Sequence, residues 1–191
     1  LAYHNFYNTE GIMKHQELFD SLNIANPNNP VTGALIGTLY RYIDTDNRPE
    51  ALLRVNPDAS GYIYHHYTNE DFSGRGYGLT DISVFETARP DGPIAYRNIH
   101  DQSGRLVTKM HYGSADITDP RNPVLTNPLA TIGYYDSGNI AYTLYTSPDA
   151  NNNIYLHYTD EAIDWDGDGT IEPTENYGRV DYQLLDAPDT A

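Results

Sequence analysis

The chain has 191 residues, 27 Asp plus Glu against 11 Lys plus Arg, a formal net charge of −16 and no Cys. Disulfides, thiolate metal sites and Cys nucleophiles are excluded, and the acidity argues against binding nucleic acid or anionic membranes, which takes basic patches. No stretch reaches the roughly 18 consecutive apolar residues of a membrane-spanning helix, whereas 18 Tyr beside 4 Phe and 1 Trp supply more aromatic surface than a disordered chain carries.

The chain opens at Leu1 rather than Met, as a processed chain or an excised piece would. Its first 31 residues recur. At a shift of 93, Ala2, Tyr3, Asn5, Gly11, Ser21, Ile24, Pro27, Asn29, Pro30 and Val31 fall on Ala95, Tyr96, Asn98, Gly104, Ser114, Ile117, Pro120, Asn122, Pro123 and Val124. Taken alone, residues 11–22 could pass for a short amphipathic helix. The counterpart reads differently. Residues 94–98 and 106–112 flank Asp101-Gln102-Ser103-Gly104, and Leu106, Thr108, Met110 and Tyr112 alternate onto one face, which is a hairpin signal. Two copies of one unit share a fold, so a strand is predicted within 11–22 as well. The Pro- and Asn-rich stretches 24–31 and 117–124 are expected to be ordered loops crossing between sheets.

Strands are predicted next over 34–43, 51–55, 61–67 and 79–86, with counterparts at 130–135, 140–146, 154–158 and 179–185. Tyr, Ile, Val, Thr and Leu dominate them. Turn clusters at 44–49, 56–61, 136–139 and 147–153 separate them. Here the copies match at a shift of 91: Pro57-Asp58-Ala59 falls on Pro148-Asp149-Ala150, and Tyr64, His66, Tyr67 and Thr68 on Tyr155, His157, Tyr158 and Thr159. The shift then jumps to 100, with Tyr77, Gly78 and Asp81 on Tyr177, Gly178 and Asp181. The predicted fold is all-β: two tandem, homologous, small antiparallel β-sandwich domains of Ig-like type, residues 1–93 and 94–191. Residues 89–93 carry two prolines and read as a short stiff linker that holds the domains in end-to-end contact.

The jump marks an insert in the second copy, Asp164-Trp165-Asp166-Gly167-Asp168-Gly169-Thr170-Ile171-Glu172-Pro173-Thr174-Glu175. It resembles the EF-hand calcium loop at each diagnostic position. Residues 160–163 are too short for an entering helix and Pro173 blocks a regular exit, so it is more similar to the isolated, dockerin-type calcium loop of bacterial secreted proteins. The resemblance implies a bound Ca2+. Asp164, Asp166 and Asp168 would give carboxylate oxygens, Thr170 its backbone carbonyl, Glu172 a water-mediated contact and Glu175 a bidentate carboxylate. The first copy has Ser73-Gly74-Arg75-Gly76 at this place, so calcium is not part of the shared unit and is expected to rigidify loop 164–175. Asp44-Thr45-Asp46-Asn47 with Glu50 lacks the glycine and the spacing, and reads as a plain turn.

Seven His are present, at 4, 15, 65, 66, 100, 111 and 157, without an H-E-x-x-H pair. His66 and His157 hold the same place in both copies, which favours a structural role, and His65 points to the sheet face opposite His66. No G-x-S-x-G, P-loop or G-x-G-x-x-G occurs. Tyr62, Tyr64 and Tyr67 in one copy, and Tyr155 and Tyr158 in the other, are candidates for an interface or a sugar-stacking platform. The expectation is a non-enzymatic, extracellular, cell-surface structural protein of bacterial, pilus-like type that self-associates head to tail into a filament or array. The alternative is a secreted carbohydrate-binding, adhesin-like module whose Tyr rings stack a glycan; an enzyme acting alone ranks third.

Overall fold

The computed structural model describes residues 1–26, 28–43, 46–73, 75–88, 94–161 and 178–186. These residues form fourteen strands and no helix. In the first half they are β1 (Ala2–Tyr7), β2 (Met13–Phe19), β3 (Leu22–Asn23), β4 (Val31–Thr32), β5 (Leu35–Arg41), β6 (Pro49–Arg54), β7 (Tyr62–Tyr67) and β8 (Thr80–Phe85). In the second they are β9 (Ala95–His100), β10 (Leu106–Asp116), β11 (Val124–Tyr134), β12 (Ile140–Tyr145), β13 (Asn153–Tyr158) and β14 (Val180–Leu185). The helical pattern of residues 11–22 gives way to β2, because its apolar positions are needed as rungs between β1 and β5.

Twelve strands make one antiparallel sheet in the order β1-β2-β5-β6-β7-β8-β9-β10-β11-β12-β13-β14, and β3 and β4 form a separate two-stranded ribbon. The all-β, antiparallel expectation is met. The pair of Ig-like sandwiches is not what this pairing gives. A sandwich of that kind needs strands that leave one sheet for another, and here each strand of the large sheet pairs its successor. Strand β8 pairs β9 across residues 86–94, with Ile82↔Arg97, Ser83↔Tyr96 and Val84↔Ala95 in register, so the two halves share one ladder.

The tight turns carry much of the local specification. Asn8, Asp58, Asp101 and Asp149 each open a hairpin turn in which the side-chain Oδ1 accepts from the backbone N–H two and four residues on. In each, the N–H three residues on donates to the turn-opening carbonyl. That third residue is Gly11, Gly61, Gly104 or Asn152, with φ of 80°, 87°, 76° and 68°. The left-handed conformation closes a type I turn with a bulge and matches the twist of the strands.

The two halves share several tertiary hydrogen bonds at matching positions. Tyr42 Oη donates to the Tyr67 carbonyl at 2.6 Å, and Tyr135 Oη to that of Tyr158 at 2.7 Å. Thr68 N–H donates to Leu79 O, and Thr159 N–H to Arg179 O. Where β5 and β6 place Tyr40 opposite Ala51, β11 and β12 place Gly133 opposite Tyr142. One ring fills the same patch from either strand, and a Cβ at Gly133 would strike the Tyr142 ring.

The core lies where the sheet acquires a second layer. The long β10–β11 hairpin carries its tip, residues 117–123, over the face built by β5 to β9. Ala51, Tyr64, Ile82, Val84, Ala95 and Tyr112 are buried there, with Ala115, Ile117 and Leu125 packed against them. Over the first half the packing is thus sandwich-like, a sheet below and a ribbon above. The expected loops at 24–31 and 117–124 are hairpin tips instead. The first connects β3 to β4, and the second connects β10 to β11.

Candidate functional site

Three places in the fold concentrate polar and aromatic chemistry. The largest is the junction where the β10–β11 tip meets the sheet of the first half. Tyr64 is completely buried and its hydroxyl donates to the Pro120 carbonyl at 2.7 Å. Burial, with the carboxylates of Glu50 and Asp81 nearby, raises its phenol well above the usual value and keeps it a donor. Arg121 reaches from the tip to the buried Glu50 carboxylate, and its other terminal nitrogen donates to the Lys14 carbonyl at 2.8 Å. Its guanidinium also lies 5.8 Å from the Tyr40 ring centroid. Glu50 is pushed upward by desolvation, and Arg121 opposes that shift by charge and hydrogen bond. Asx turns at Asp116 and Asp119 pre-shape the tip. Thr118 N–H donates to Asp116 at 2.9 Å, and Arg121 N–H to Asp119 at 3.0 Å.

The second place is a pair of His–Asp contacts at the same sheet position in each half. His157 Nδ1 lies 2.6 Å from Asp181 Oδ1 and its Nε2 lies 3.2 Å from the Tyr135 hydroxyl. His66 Nδ1 lies 3.4 Å from Asp81 Oδ2, an ion-pair distance, and Arg97 shares that carboxylate at 3.5 Å. Beside Asp81 and Arg97 an open cleft of about 540 Å³ runs past Glu70, Phe72 and His100. Burial holds the His100 ring below the ordinary imidazole value. Of the two His–Asp pairs, the one at His157 meets the Tyr135 hydroxyl, which itself donates to the Tyr158 carbonyl. Their recurrence in both halves matches a role in tying β7 to β8 and β13 to β14.

The third is an aromatic row on the opposite face. Tyr62 stacks on Phe85 with centroids 4.2 Å apart, Phe85 meets Tyr96 edge to face at 5.3 Å, and Tyr96 meets His111 at 4.6 Å. The His65 ring stands between Tyr62 and Tyr67, with Nδ1 3.1 Å from Ser83 Oγ. Burial depresses the His65 pKa, and Asp58 pulls the other way. The ammonium of Lys109 lies 5.1 Å from the Tyr96 centroid.

The five tyrosines singled out by the sequence therefore separate. Tyr62 and Tyr67 are half-buried on the aromatic row. Tyr64 lies on the other face inside the junction, where a fully buried ring has no surface to offer a sugar. Tyr155 is half-buried and stacks on Tyr142 at 6.2 Å, and Tyr158 accepts the Tyr135 bond at its carbonyl. Asp164, Asp166, Asp168, Thr170, Glu172 and Glu175 lie outside the described residues; as a donor set, five carboxylates and a carbonyl are the hard oxygens that a Ca2+ ion takes. Sequence reasoning missed Glu50 and Arg121. A signal existed: at the matching positions the copies exchange both members together, Glu50 for Ala141 and Arg121 for Asn28.

No protein-family model matches the chain, and no curated protein matches it in sequence.

Proposed function

We propose that the chain is a non-enzymatic structural subunit, built of two copies of one unit at residues 1–93 and 94–191, which joins head to tail into an extracellular filament or surface array. The observation that supports this reading best is the β8–β9 ladder, which joins one half to the next with ordinary antiparallel rungs. The equivalent edges, β14 and β1, each have a strand neighbour on one side only among the described residues. Continuing the internal register across two chains sets Tyr182 opposite His4, Gln183 opposite Tyr3 and Leu184 opposite Ala2. An association of this heterologous kind grows as an open polymer when its rotation does not close, and an unpaired edge is a ready template for a further strand. The acidic composition and the dockerin-like sequence at 164–175 support an extracellular setting with Ca2+ stiffening that loop.

The absence of native Cys makes the test clean. A variant carrying both Tyr3→Cys and Gln183→Cys, oxidised at high concentration, is expected to give a disulfide-linked ladder on non-reducing gels, while either single variant stops at dimer. Absence of a ladder, together with monodisperse particles in negative stain at high concentration, would overturn the reading.

A second reading is a carbohydrate-binding, adhesin-like module. The row of Tyr62, His65, Tyr67 and Tyr96 favours it, because half-buried rings gathered on one face offer apolar surface to a sugar. A blank glycan array, with Tyr fluorescence unmoved by polysaccharide, would remove it.

A further inference from the structure

The junction inside the chain joins a face to a tip, and the chain presents one more of each, uncovered among the described residues. The face that the β10–β11 tip covers has an equivalent in the second half, built on matching pairs. Leu53↔Tyr64 and Tyr64↔Val84 correspond to Leu144↔Tyr155 and Tyr155↔Leu184, and His66↔Ile82 corresponds to His157↔Tyr182. In the first half Tyr64, Ile82 and Val84 are buried. In the second, Leu144, Tyr182 and Leu184 are 49%, 68% and 55% exposed. These are large apolar groups on adjoining strands of one face, a patch of the kind that marks an interaction surface.

The tip that would fill it is present as well. The described residues of 22–32 form the counterpart of residues 115–125. Leu22↔Thr32 and Asn23↔Val31 reproduce Ala115↔Leu125 and Asp116↔Val124. Ala25 N–H donates to Asn23 Oδ1 and Asn28 N–H to Asn26 Oδ1, as Thr118 and Arg121 donate to Asp116 and Asp119. The tip is shaped but bare: Ile24 is 64% exposed, whereas its counterpart Ile117 is half-buried against the core.

The chemistry of the two surfaces also agrees. The internal junction uses a charged pair, Arg121 with Glu50. The free tip has Asn28 where Arg121 stands, and the free face has Ala141 where Glu50 stands. Arg121 set against Ala141, or Asn28 against Glu50, would bury an unpaired charge. Each tip therefore suits its own face.

We propose that the face of Leu144, Tyr182 and Leu184 is the docking site for the 22–32 hairpin of a second copy of this chain. The hairpin lies across that face as residues 115–125 lie across the first half, and it sets which half of one copy meets which half of the next. This deepens the head-to-tail reading and rests on it. The edge strands give the rungs, and the hairpin gives the apolar contact and the choice of face.

The test uses two full-length variants, each blocked at one surface: Ile24→Asp on the hairpin and Leu144→Asp on the face, two strands in from the β14 edge. Both positions are exposed, so both chains should fold; circular dichroism and thermal unfolding check this, and Ile24→Ser and Leu144→Ser are milder substitutes. Sedimentation velocity over a concentration series gives the readout. Wild type is expected to associate with rising concentration. Each variant alone should lose that association about tenfold or more. An equimolar mixture should form a 1:1 dimer that grows no further, because Ile24→Asp keeps an intact face and Leu144→Asp an intact hairpin. If wild type polymerises and the cysteine ladder forms, yet both variants polymerise equally well, the hairpin inference falls while the head-to-tail reading stands. If wild type stays monomeric at every concentration and no ladder forms, both fall.

Discussion

The two halves present one face in two states. In the first half the apolar stripe through Tyr64, Ile82 and Val84 is roofed by the hairpin tip at residues 117–123, which begins 33 residues after Val84; in the second half the same stripe, through Tyr155, Tyr182 and Leu184, has no roof among the described residues. The backbone pairing beneath is the same in both. A meander sheet can therefore be laid down by strand pairing alone, while its core exists only where another segment excludes water from one face.

The largest expected effect breaks this comparison at its centre. Ile82→Ala is expected to cost about 4 kcal/mol, through lost burial and the cavity left under the hairpin. Tyr182→Ala, its counterpart, should stay within about 0.5 kcal/mol in dilute solution, where the face is open. Denaturant unfolding of the two variants checks the difference, and equal losses would show that the faces are not in different states.

A smaller effect comes from the ion pair. Arg121→Ala should destabilise by about 2 kcal/mol, because it leaves the Glu50 carboxylate buried without its partner. The double variant Glu50→Ala with Arg121→Asn copies Ala141 and Asn28, the residues at the matching positions of the other face and the other tip, and most of the loss should return. A double-mutant cycle by chemical denaturation measures the coupling, and additivity would show the pair to be independent.

The smallest effect is a pH dependence carried by the turns. Hydrogen bonds from Ser103 and from the Arg105 backbone hold Asp101 down to about 2, and Asp58 and Asp149 are lowered as well, against desolvation at Asp58 and chiefly by Asn153 at Asp149. A lowered folded-state pKa gives stability that is present above the unfolded value and is lost as pH falls through the folded one. Stability should therefore decline from about pH 4 downward. Glu50 has the opposite sign: its raised pKa favours the fold at low pH and gives that contribution up as pH rises. Asp101→Asn copies Asn8, the first unit's residue at that turn. It should keep the turn and flatten the acid limb of a melting curve recorded between about pH 2 and 5.

Much of the fold was legible because it is local. The turn clusters and the alternation within 106–112 concern neighbours in the chain, the repetition at 93 and 91 residues carries them from one half to the other, and the strands fall close to where these signals put them. The duplication even corrected a misleading helical pattern at 11–22. The candidate site was legible only in part. Tyr64 and Tyr155 stood out as equivalent rings, but nothing near them in sequence says that one is buried and the other half-open.

The sequence by itself determined an all-β antiparallel chain, its turns and its repeated unit, because turn chemistry and period-two alternation act over a few residues. Only the tertiary structure decided that the strands form one continuous ladder rather than paired sandwiches, and that the tip at 117–123 folds back over the first half. Contacts such as Arg121 with Glu50, 71 residues apart, depend on how a twisted sheet brings distant segments together, and no local pattern encodes that distance.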